Sequence, residues 1–133
     1  MDDIDVFWAG LLYIKDRKVL MIKEYKHSFL MIPGGKIEEG ETDEQTIERE
    51  ILEEAGVTPK NLKHFDSFVL PTRTRGEALF KVYTGDLDSN PRTTETTEAI
   101  HWIDSSYKDK GIDVGNPFKM RLCEKLKGLD LID

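Results

Sequence analysis

The sequence has few of the residues that build disulfide frameworks or membrane spans. Cys123 is the single cysteine among 133 residues, so an intrachain disulfide is excluded and a reducing, cytoplasmic environment is predicted. The apolar run 6–14 has nine residues, which is too short to cross a bilayer. No basic segment precedes that run, so neither a membrane anchor nor a signal peptide is expected.

Basic residues are also scarce relative to acidic ones. The chain has 19 Lys and Arg against 26 Asp and Glu, a formal net charge of −7, which disfavours a nucleic-acid polymer or an anionic membrane as partner. Hydrophobic residues make up 38% and charged residues 34%, as expected of a globular protein. Because no repeat, linker or low-complexity tract divides the sequence, residues 1–133 are predicted to form one domain.

The excess negative charge lies in one segment. Between Lys36 and Glu54 there are nine carboxylates and two bases, which leaves 17 residues of each sign in the rest of the chain. The nine are Glu38, Glu39, Glu41, Asp43, Glu44, Glu48, Glu50, Glu53 and Glu54. The whole net charge of −7 therefore comes from this segment.

Hydrophobic periodicity and turn residues predict strands over 6–14, 19–23, 29–32, 65–70, 78–84 and 100–103. The first two are expected to form a hairpin over the charged residues 15–18, and Pro33, Gly34 and Gly35 are expected to form a turn that ends the third. Residues 85–97 are predicted to be an exposed loop. This order predicts an α/β or α+β sandwich in which helices pack on a mixed sheet.

Two helices carry recognisable terminal residues. Thr42 and Gln45 have the spacing of a capping box, which predicts a helix over 43–55. Asn116, followed by proline, is typical of an N-cap, which predicts a second helix over 117–127.

The first predicted helix places three carboxylates together. Glu50, Glu53 and Glu54 stand at positions i, i+3 and i+4, where helical side chains meet. Like charges at this spacing destabilise a helix by about 0.2–0.5 kcal/mol per pair. Two interpretations follow: a divalent cation binds between these oxygens, or the face is simply solvated.

The spacing around these glutamates resembles the Nudix box. That motif reads Gly, five residues, Glu, seven residues, Arg-Glu-aliphatic, one residue, Glu-Glu, one residue, Gly-aliphatic, and the chain matches it at every position from Gly35 to Val57. The resemblance implies a Nudix fold, an α/β/α sandwich with a mixed sheet and a catalytic loop-helix unit. It also implies hydrolysis of a nucleoside diphosphate linked to another group, with Mg²⁺ or Mn²⁺ as cofactor.

The resemblance implies roles by position in the motif. Glu50 and Glu54 are the implied main metal ligands, Glu53 is a further ligand or the base that activates water, and the Gly34 carbonyl is an additional ligand. Arg49 is implied to orient a carboxylate of the box through a charge-assisted contact.

Family members often recruit one more carboxylate from outside the box as a general base or ligand. Glu95 and Glu98 are the candidates in this chain, and Glu98 fits the family spacing better. For either residue a solvated surface position is the equal alternative.

Three residues outside the box are candidates for binding substrate. Lys23 stands where nucleotide-sanitising members carry a basic pair, although Glu24 replaces the second base. Arg73, with Arg75, lies in a loop able to reach an anionic substrate, or is merely solvated. Asn116 resembles an asparagine with which members specific for 8-oxoguanine read the base, and it fits the N-cap role equally well.

Three functions remain open at this point. The first is hydrolysis of a nucleoside triphosphate, including oxidised ones such as 8-oxo-dGTP, to a monophosphate and pyrophosphate. The second is hydrolysis of ADP-ribose or another ADP-linked compound, since Pro71 lies close to the position of a proline in that class. The third is a non-catalytic module that binds nucleotide or protein, which the complete set of box carboxylates disfavours. A small nucleotide is the expected partner, and the protein is expected to be a monomer or a homodimer.

Overall fold

The computed structural model describes residues 4–73 and 76–133, so Arg75 lies outside the described residues. Strands form most of the ordered backbone. In chain order the elements are β1 (Val6–Leu12), β2 (Ile14–Lys15), β3 (Lys18–Glu24), β4 (Gly34–Lys36), α1 (Asp43–Ala55), β5 (Pro59–Pro71), β6 (Glu77–Leu87), β7 (Thr97–Ile103), a 3₁₀ turn (Ser105–Tyr107), a π-helical segment (Pro117–Leu122) and α2 (Cys123–Gly128).

The strands form two sheets. β1 lies inside a four-stranded mixed sheet of order β4-β1-β6-β5, parallel to β6 and antiparallel to β4. β3 lies between β2 and β7 in a three-stranded antiparallel sheet. The predicted mixed sheet with helices packed on it is confirmed, and the chain belongs to the α+β class.

Helices cover both faces of β1. Trp8 joins a large apolar cluster that includes Phe118 and Leu126 of the C-terminal helical region. Its neighbour Ala9 joins a second apolar cluster with Ile51 of α1. Because successive side chains of a strand point to opposite faces, the mixed sheet lies between two helical layers, as in an α/β/α sandwich.

α1 begins and ends as predicted. The Thr42 hydroxyl oxygen accepts a hydrogen bond from the Gln45 amide at 3.1 Å, and the Gln45 side chain accepts one from the Thr42 amide at 2.9 Å. Gly56 ends the helix with a φ of 67°, a left-handed conformation that favours glycine. The capping box therefore positions the first turn of the acidic helix.

Thr42→Ala is expected to lower the free energy of unfolding by about 1 kcal/mol, because it removes the acceptor for the Gln45 amide. Urea denaturation measures this difference. Thr42→Ser keeps the hydroxyl oxygen, and we expect it to stay within about 0.5 kcal/mol of the wild type. A Thr42→Ala variant as stable as the wild type contradicts a stabilising role for the capping box.

The predicted hairpin between residues 6–14 and 19–23 is wrong. The charged turn is present, with Asp16 and Arg17 at φ values of 51° and 62°, but it joins only the short β2 to β3. β1 pairs instead with β4 and β6. An apolar run without alternation is typical of a strand buried on both faces, and such a strand lies inside a sheet.

The predicted strand over 29–32 and the turn after it are also wrong. Two residues of that segment make only isolated bridges, and β4 begins at Gly34. Gly34 pairs with Gly10, and a Cβ on Gly34 would lie 2.5 Å from the Ala9 carbonyl oxygen. The glycine therefore allows two strands to approach closely rather than turning the chain.

Three strands extend beyond their predicted ends. β5 begins at Pro59, and β6 continues to Leu87. β7 begins at Thr97, which is fully buried, so the predicted exposed loop is shorter and covers only 88–96. Cross-strand pairing extends both β5 and β6, because Pro59 lies opposite Leu87.

The C-terminal helical region begins differently from the prediction. Its first six residues are π-helical, and only Cys123–Gly128 are α-helical. Asn116 makes no capping hydrogen bond; its Nδ2 donates instead to the Pro71 carbonyl oxygen at 2.8 Å. None of the helices in the described residues is both long and apolar enough to cross a membrane.

Candidate active site

Arg49 connects the loop before α1 to the helix. Its guanidinium donates to both carboxylate oxygens of Glu41, at 2.8 and 2.9 Å, and to the Lys36 carbonyl oxygen at 3.2 Å. The same group donates to Oε1 of Glu50 at 2.6 Å. Charge-assisted contacts of this kind are short and directional, so Arg49 holds the loop and Glu50 in a fixed relation.

Glu41 is the anchor of the loop. Besides Arg49, its carboxylate accepts from the Glu38 amide at 2.9 Å and from the Thr46 hydroxyl at 2.8 Å. Hydrogen bonding from Arg49 is the main cause that lowers the pKa of Glu41 to about 2. Glu41 is therefore ionised at neutral pH, and its carboxylate oxygens accept hydrogen bonds from protein donors.

The three glutamates of the acidic helix face lie in different environments. Glu54 is 4% exposed, and its Oε1 accepts from the Gly34 amide at 2.9 Å. Glu50 is half-buried, whereas Glu53 is exposed. Burial raises the pKa of Glu50. Burial also raises the pKa of Glu54 well above its usual range, reinforced by a hydrogen bond with Glu24 and by neighbouring negative charge.

Glu24 joins this cluster from the end of β3, and sequence reasoning did not identify it. The side chain is 5% exposed and lines the same two cavities as Glu54. Alternation along the strand indicates its position. Leu20, Ile22 and Glu24 are two residues apart, so their side chains point to the same buried face of β3. A carboxylate on a buried face needs a compensating partner.

The cluster supplies donors that suit a hard cation. Across residues 4–73 and 76–133, no three Asp, Glu, His or Cys side chains are gathered so as to hold a metal ion together. Glu50 is turned towards Arg49, and Glu54 towards the Gly34 amide. The donor set nevertheless fits Mg²⁺ or Mn²⁺, which prefer carboxylate oxygens, because adjacent buried carboxylates require a counter-charge.

An open groove of about 350 Å³ lies on the solvent side of these glutamates. We call it the glutamate groove. It is lined by Glu24, Tyr25, Lys26, Glu50, Glu53, Glu54, Glu95 and Thr96. Of the two carboxylates outside the box that were predicted as candidates, Glu95 lines this groove with the predicted ligands.

Glu98 and Lys23 lie elsewhere. The Lys23 Nζ is 3.6 Å from Oε1 of Glu98 and donates to the Glu24 carbonyl oxygen at 2.8 Å. Neither residue lines the glutamate groove or the cleft described next. The predicted catalytic Glu98 and the predicted substrate-binding Lys23 therefore pair with each other.

A cleft of about 390 Å³ adjoins this groove and shares Glu24, Glu50 and Glu54 with it. Most of the remaining wall is apolar or aromatic. It includes Val6, Trp8, Phe29, Met31, Ile32, Ala78, Phe80, Pro117 and Phe118. The cleft thus combines carboxylates with apolar and aromatic side chains.

Two predicted substrate-binding residues do line this cleft. The Arg73 guanidinium carbon lies 4.4 Å from the Phe29 ring centroid, and its Nη1 donates to Oδ1 of Asp113 at 2.7 Å. The bond with Asp113 raises the pKa of Arg73, which keeps it cationic. Asn116, whose Nδ2 donates to the Pro71 carbonyl oxygen, also lines this cleft.

A family model for the NUDIX domain matches residues 8–106 of the chain. The chain belongs to the Nudix family. The Nudix box begins at Gly35 in β4 and includes the glutamates of α1. The family's loop-helix unit is therefore the site described above.

Two relatives of the Nudix chain carry different names. This chain is 29% identical over 102 residues to an 8-oxo-dGTP diphosphatase of Haemophilus influenzae. The aligned region covers 77% of this chain and 72% of that protein. The chain is 38% identical over 77 residues to an ADP-ribose pyrophosphatase of Methanocaldococcus jannaschii, covering 55% and 46% respectively. The chain spans less than half of the length of several curated relatives, including this second one.

A solved structure supports the Nudix fold over nearly the whole chain. It is a bifunctional NMN adenylyltransferase/ADP ribose pyrophosphatase of Francisella tularensis, complexed with AMP and a Mn ion. The TM-score is 0.68 at 22% identity, and the match covers 96% of this chain and 42% of that one.

Proposed function

We propose that this Nudix protein hydrolyses the phosphoanhydride bond of a nucleoside diphosphate linked to a further group. The observation that carries the proposal is the position of Glu50 and Glu54 in a cleft of about 390 Å³ that apolar and aromatic side chains also line. The carboxylates and the apolar wall correspond to the two halves of a metal-bound nucleotide. Ligand sites commonly combine an apolar wall with a few convergent polar groups.

Glu50 and Glu54 would hold Mg²⁺ or Mn²⁺, with Glu53 and the Gly34 carbonyl as further candidate ligands. Such an ion would supply neutralisation of the diphosphate and a lower pKa for an attacking water. Arg49 keeps Glu50 in position through its 2.6 Å contact. The AMP and Mn ion in the Francisella tularensis protein support this choice of cofactor.

Glu53 is our candidate for the group that takes the proton from water. Its exposed carboxylate lines the glutamate groove, where water reaches it. Glu95 lines the same groove and is the alternative base. Glu98, which pairs with Lys23, is less well placed for this role.

The substrate that we favour is a nucleoside triphosphate, including oxidised forms such as 8-oxo-dGTP, cleaved to a monophosphate and pyrophosphate. The Haemophilus influenzae relative, named an 8-oxo-dGTP diphosphatase, supports it across 77% of the chain. Asn116 and Arg73 line the same cleft as the carboxylates, and in this proposal they contact the nucleoside.

ADP-ribose is the second candidate, because the Methanocaldococcus jannaschii relative is named an ADP-ribose pyrophosphatase. Pro71, which first indicated this class, ends β5 and accepts a hydrogen bond from Asn116. A non-catalytic Nudix module ranks last, since every carboxylate of the box is present.

A substrate panel separates these candidates. We expect Mg²⁺-dependent release of pyrophosphate from nucleoside triphosphates or 8-oxo-dGTP, at a higher kcat/KM than release of AMP from ADP-ribose. Chromatography of the products identifies the bond cleaved, and a chelator should abolish turnover because the ion neutralises the phosphates.

If ADP-ribose is cleaved at a higher kcat/KM than the nucleoside triphosphates, ADP-ribose becomes the proposed substrate. Undiminished rates in chelator contradict the proposed cofactor. An absence of turnover with every compound of the panel supports the non-catalytic module.

A further inference from the structure

Two carboxyl groups from different elements meet in the interior next to the metal site. Glu24 of β3 is 5% exposed and Glu54 of α1 is 4% exposed. Both side chains, together with Glu50, line the glutamate groove and the adjoining cleft. The Nudix box accounts for Glu54 and Glu50 but not for Glu24, which lies 11 residues before it.

A buried hydroxyl without a partner lies beside this pair. Thr97 is fully buried, and within the described residues its Oγ1 has no hydrogen-bond partner. In the β3–β7 ladder Thr97 lies directly opposite Glu24, at an irregularity between Lys23 and Glu24. Residues opposite each other in an antiparallel pair point to the same face, about 5 Å apart at Cβ, so the Thr97 side chain is on the same face of the sheet as the buried Glu24 carboxyl.

Two side chains that can carry positive charge approach Glu24, both at the long end of the ion-pair range. Lys26 Nζ lies 3.5 Å from Oε2 of Glu24, but the Lys26 side chain is 74% exposed. His27 Nε2 lies 4.0 Å from the same oxygen. Buried like charges in contact are costly unless a counter-charge lies among them.

We propose that Glu24 is a ligand of the divalent cation that Glu54 binds, and that the Thr97 hydroxyl holds a water molecule carried by that ion. This inference rests on the proposed function for the presence of the ion. Carboxylates that converge from a strand and a helix provide oxygens on two sides, and Mg²⁺ and Mn²⁺ retain waters that need protein partners. The buried hydroxyl then has a partner whenever the ion is bound.

Binding of Mn²⁺ alone, followed by electron paramagnetic resonance without substrate, tests the proposal. Glu24→Gln is expected to weaken Mn²⁺ binding by about 10- to 100-fold, the range seen when groups of a metal site are removed. Thr97→Val, which keeps the side-chain shape, is expected to weaken it by about two- to tenfold, the equivalent of one hydrogen bond. Glu48→Gln is the matched control: it removes the same charge from an exposed position on α1, and unchanged affinity is expected.

Thermal unfolding with and without Mn²⁺ distinguishes a metal ligand from a residue that only stabilises the fold. Without metal, Glu24→Gln should unfold at the wild-type temperature or above it, because one of two contacting carboxylates is gone. Added Mn²⁺ should raise the unfolding temperature of the wild type more than that of the variant, since ligands stabilise the state that binds them. A variant that is destabilised without metal, yet binds Mn²⁺ as tightly as the wild type, overturns the proposal.

Failure of this inference is distinguishable from failure of the proposed function. If Glu24→Gln binds Mn²⁺ like the wild type while the wild type hydrolyses nucleotides with Mg²⁺, only the role of Glu24 is refuted. If the wild type binds no Mn²⁺ and hydrolyses no compound of the panel, both are refuted.

Discussion

Glu53→Gln is expected to lower the rate of nucleotide hydrolysis by about 10²- to 10⁴-fold, the range attributed to a positioned acid–base group. The free energy of unfolding should stay within about 0.5 kcal/mol of the wild-type value, as for most surface substitutions. Steady-state kinetics in Mg²⁺ and urea denaturation measure the two quantities.

The separation of activity from stability follows from where Glu53 makes its contacts. Its carboxylate lines the glutamate groove and is exposed. Its structural contacts run through the backbone instead: the Glu53 carbonyl oxygen accepts from the hydroxyls of Thr94 at 2.6 Å and Thr96 at 3.3 Å. Glutamine preserves both hydrogen bonds and removes only the charge and the ability to accept a proton.

Two control variants sharpen this experiment. Glu48→Gln makes the same change on an exposed part of α1, and we expect wild-type rates from it. Glu95→Gln tests the other carboxylate of the glutamate groove. If it abolishes turnover and Glu53→Gln does not, the proton acceptor is Glu95. Wild-type rates in both variants contradict the catalytic role of the glutamate groove.

Gly35→Ala is expected to lower hydrolysis by about 10²-fold while leaving most of the stability intact, because misplacing a catalytic group by about 1 Å has effects of this size. A Cβ on Gly35 would lie 2.3 Å from Cδ of Glu50. Glu50 is a flexible side chain, so it moves away and loses its place beside Arg49. The backbone of β4 need not change.

Gly34→Ala provides the contrast. There a Cβ would lie 2.5 Å from the Ala9 carbonyl oxygen and from Cα of Gly10, which are backbone atoms of β1. Overpacking against a backbone that cannot move typically costs about 1–3 kcal/mol. Urea denaturation and kinetics on both variants test the distinction. A Gly35→Ala enzyme with wild-type kcat and KM contradicts a positioned Glu50.

The loop-helix unit could be predicted from the sequence because its determinants are local. The capping residues Thr42 and Gln45 lie three positions apart, and the core stripe of α1 recurs every three or four residues. The structure has the predicted helix from Asp43 to Ala55. Short-range patterns of this kind carry enough information to place an element without knowledge of its neighbours.

Strand pairing could not be predicted, because it depends on residues far apart in the chain. β1 pairs with Ala78–Thr84, and nothing near residues 6–14 indicates that partner. The glycines of β4 illustrate the same limit. A turn at Gly34 and Gly35 can be predicted from the neighbouring residues alone. The close approach of these glycines to other atoms can be recognised only when the positions of β1 and Glu50 are known.

The buried Glu24 was overlooked for a related reason. In the sequence it only replaces a base next to Lys23, and the acidic cluster is complete without it. Its burial against Glu54 depends on how β3 packs against α1. Likewise Asn116 fits an N-cap by its sequence, but the Pro71 carbonyl is its partner in the fold. Tertiary contacts decide both positions.

The parallel pairing of β1 with β6 also bears on how the protein is made. Val6 lies opposite Ala78, and Val19 of β3 lies opposite Ile103. A ribosome completes all the glutamates of the box well before it reaches either distant strand. Contacts so far apart in sequence fold slowly, on the order of milliseconds to seconds. During synthesis the strongly acidic segment therefore emerges before β6 and β7, and Glu24 gains its ladder partner Thr97 only once β7 has been made.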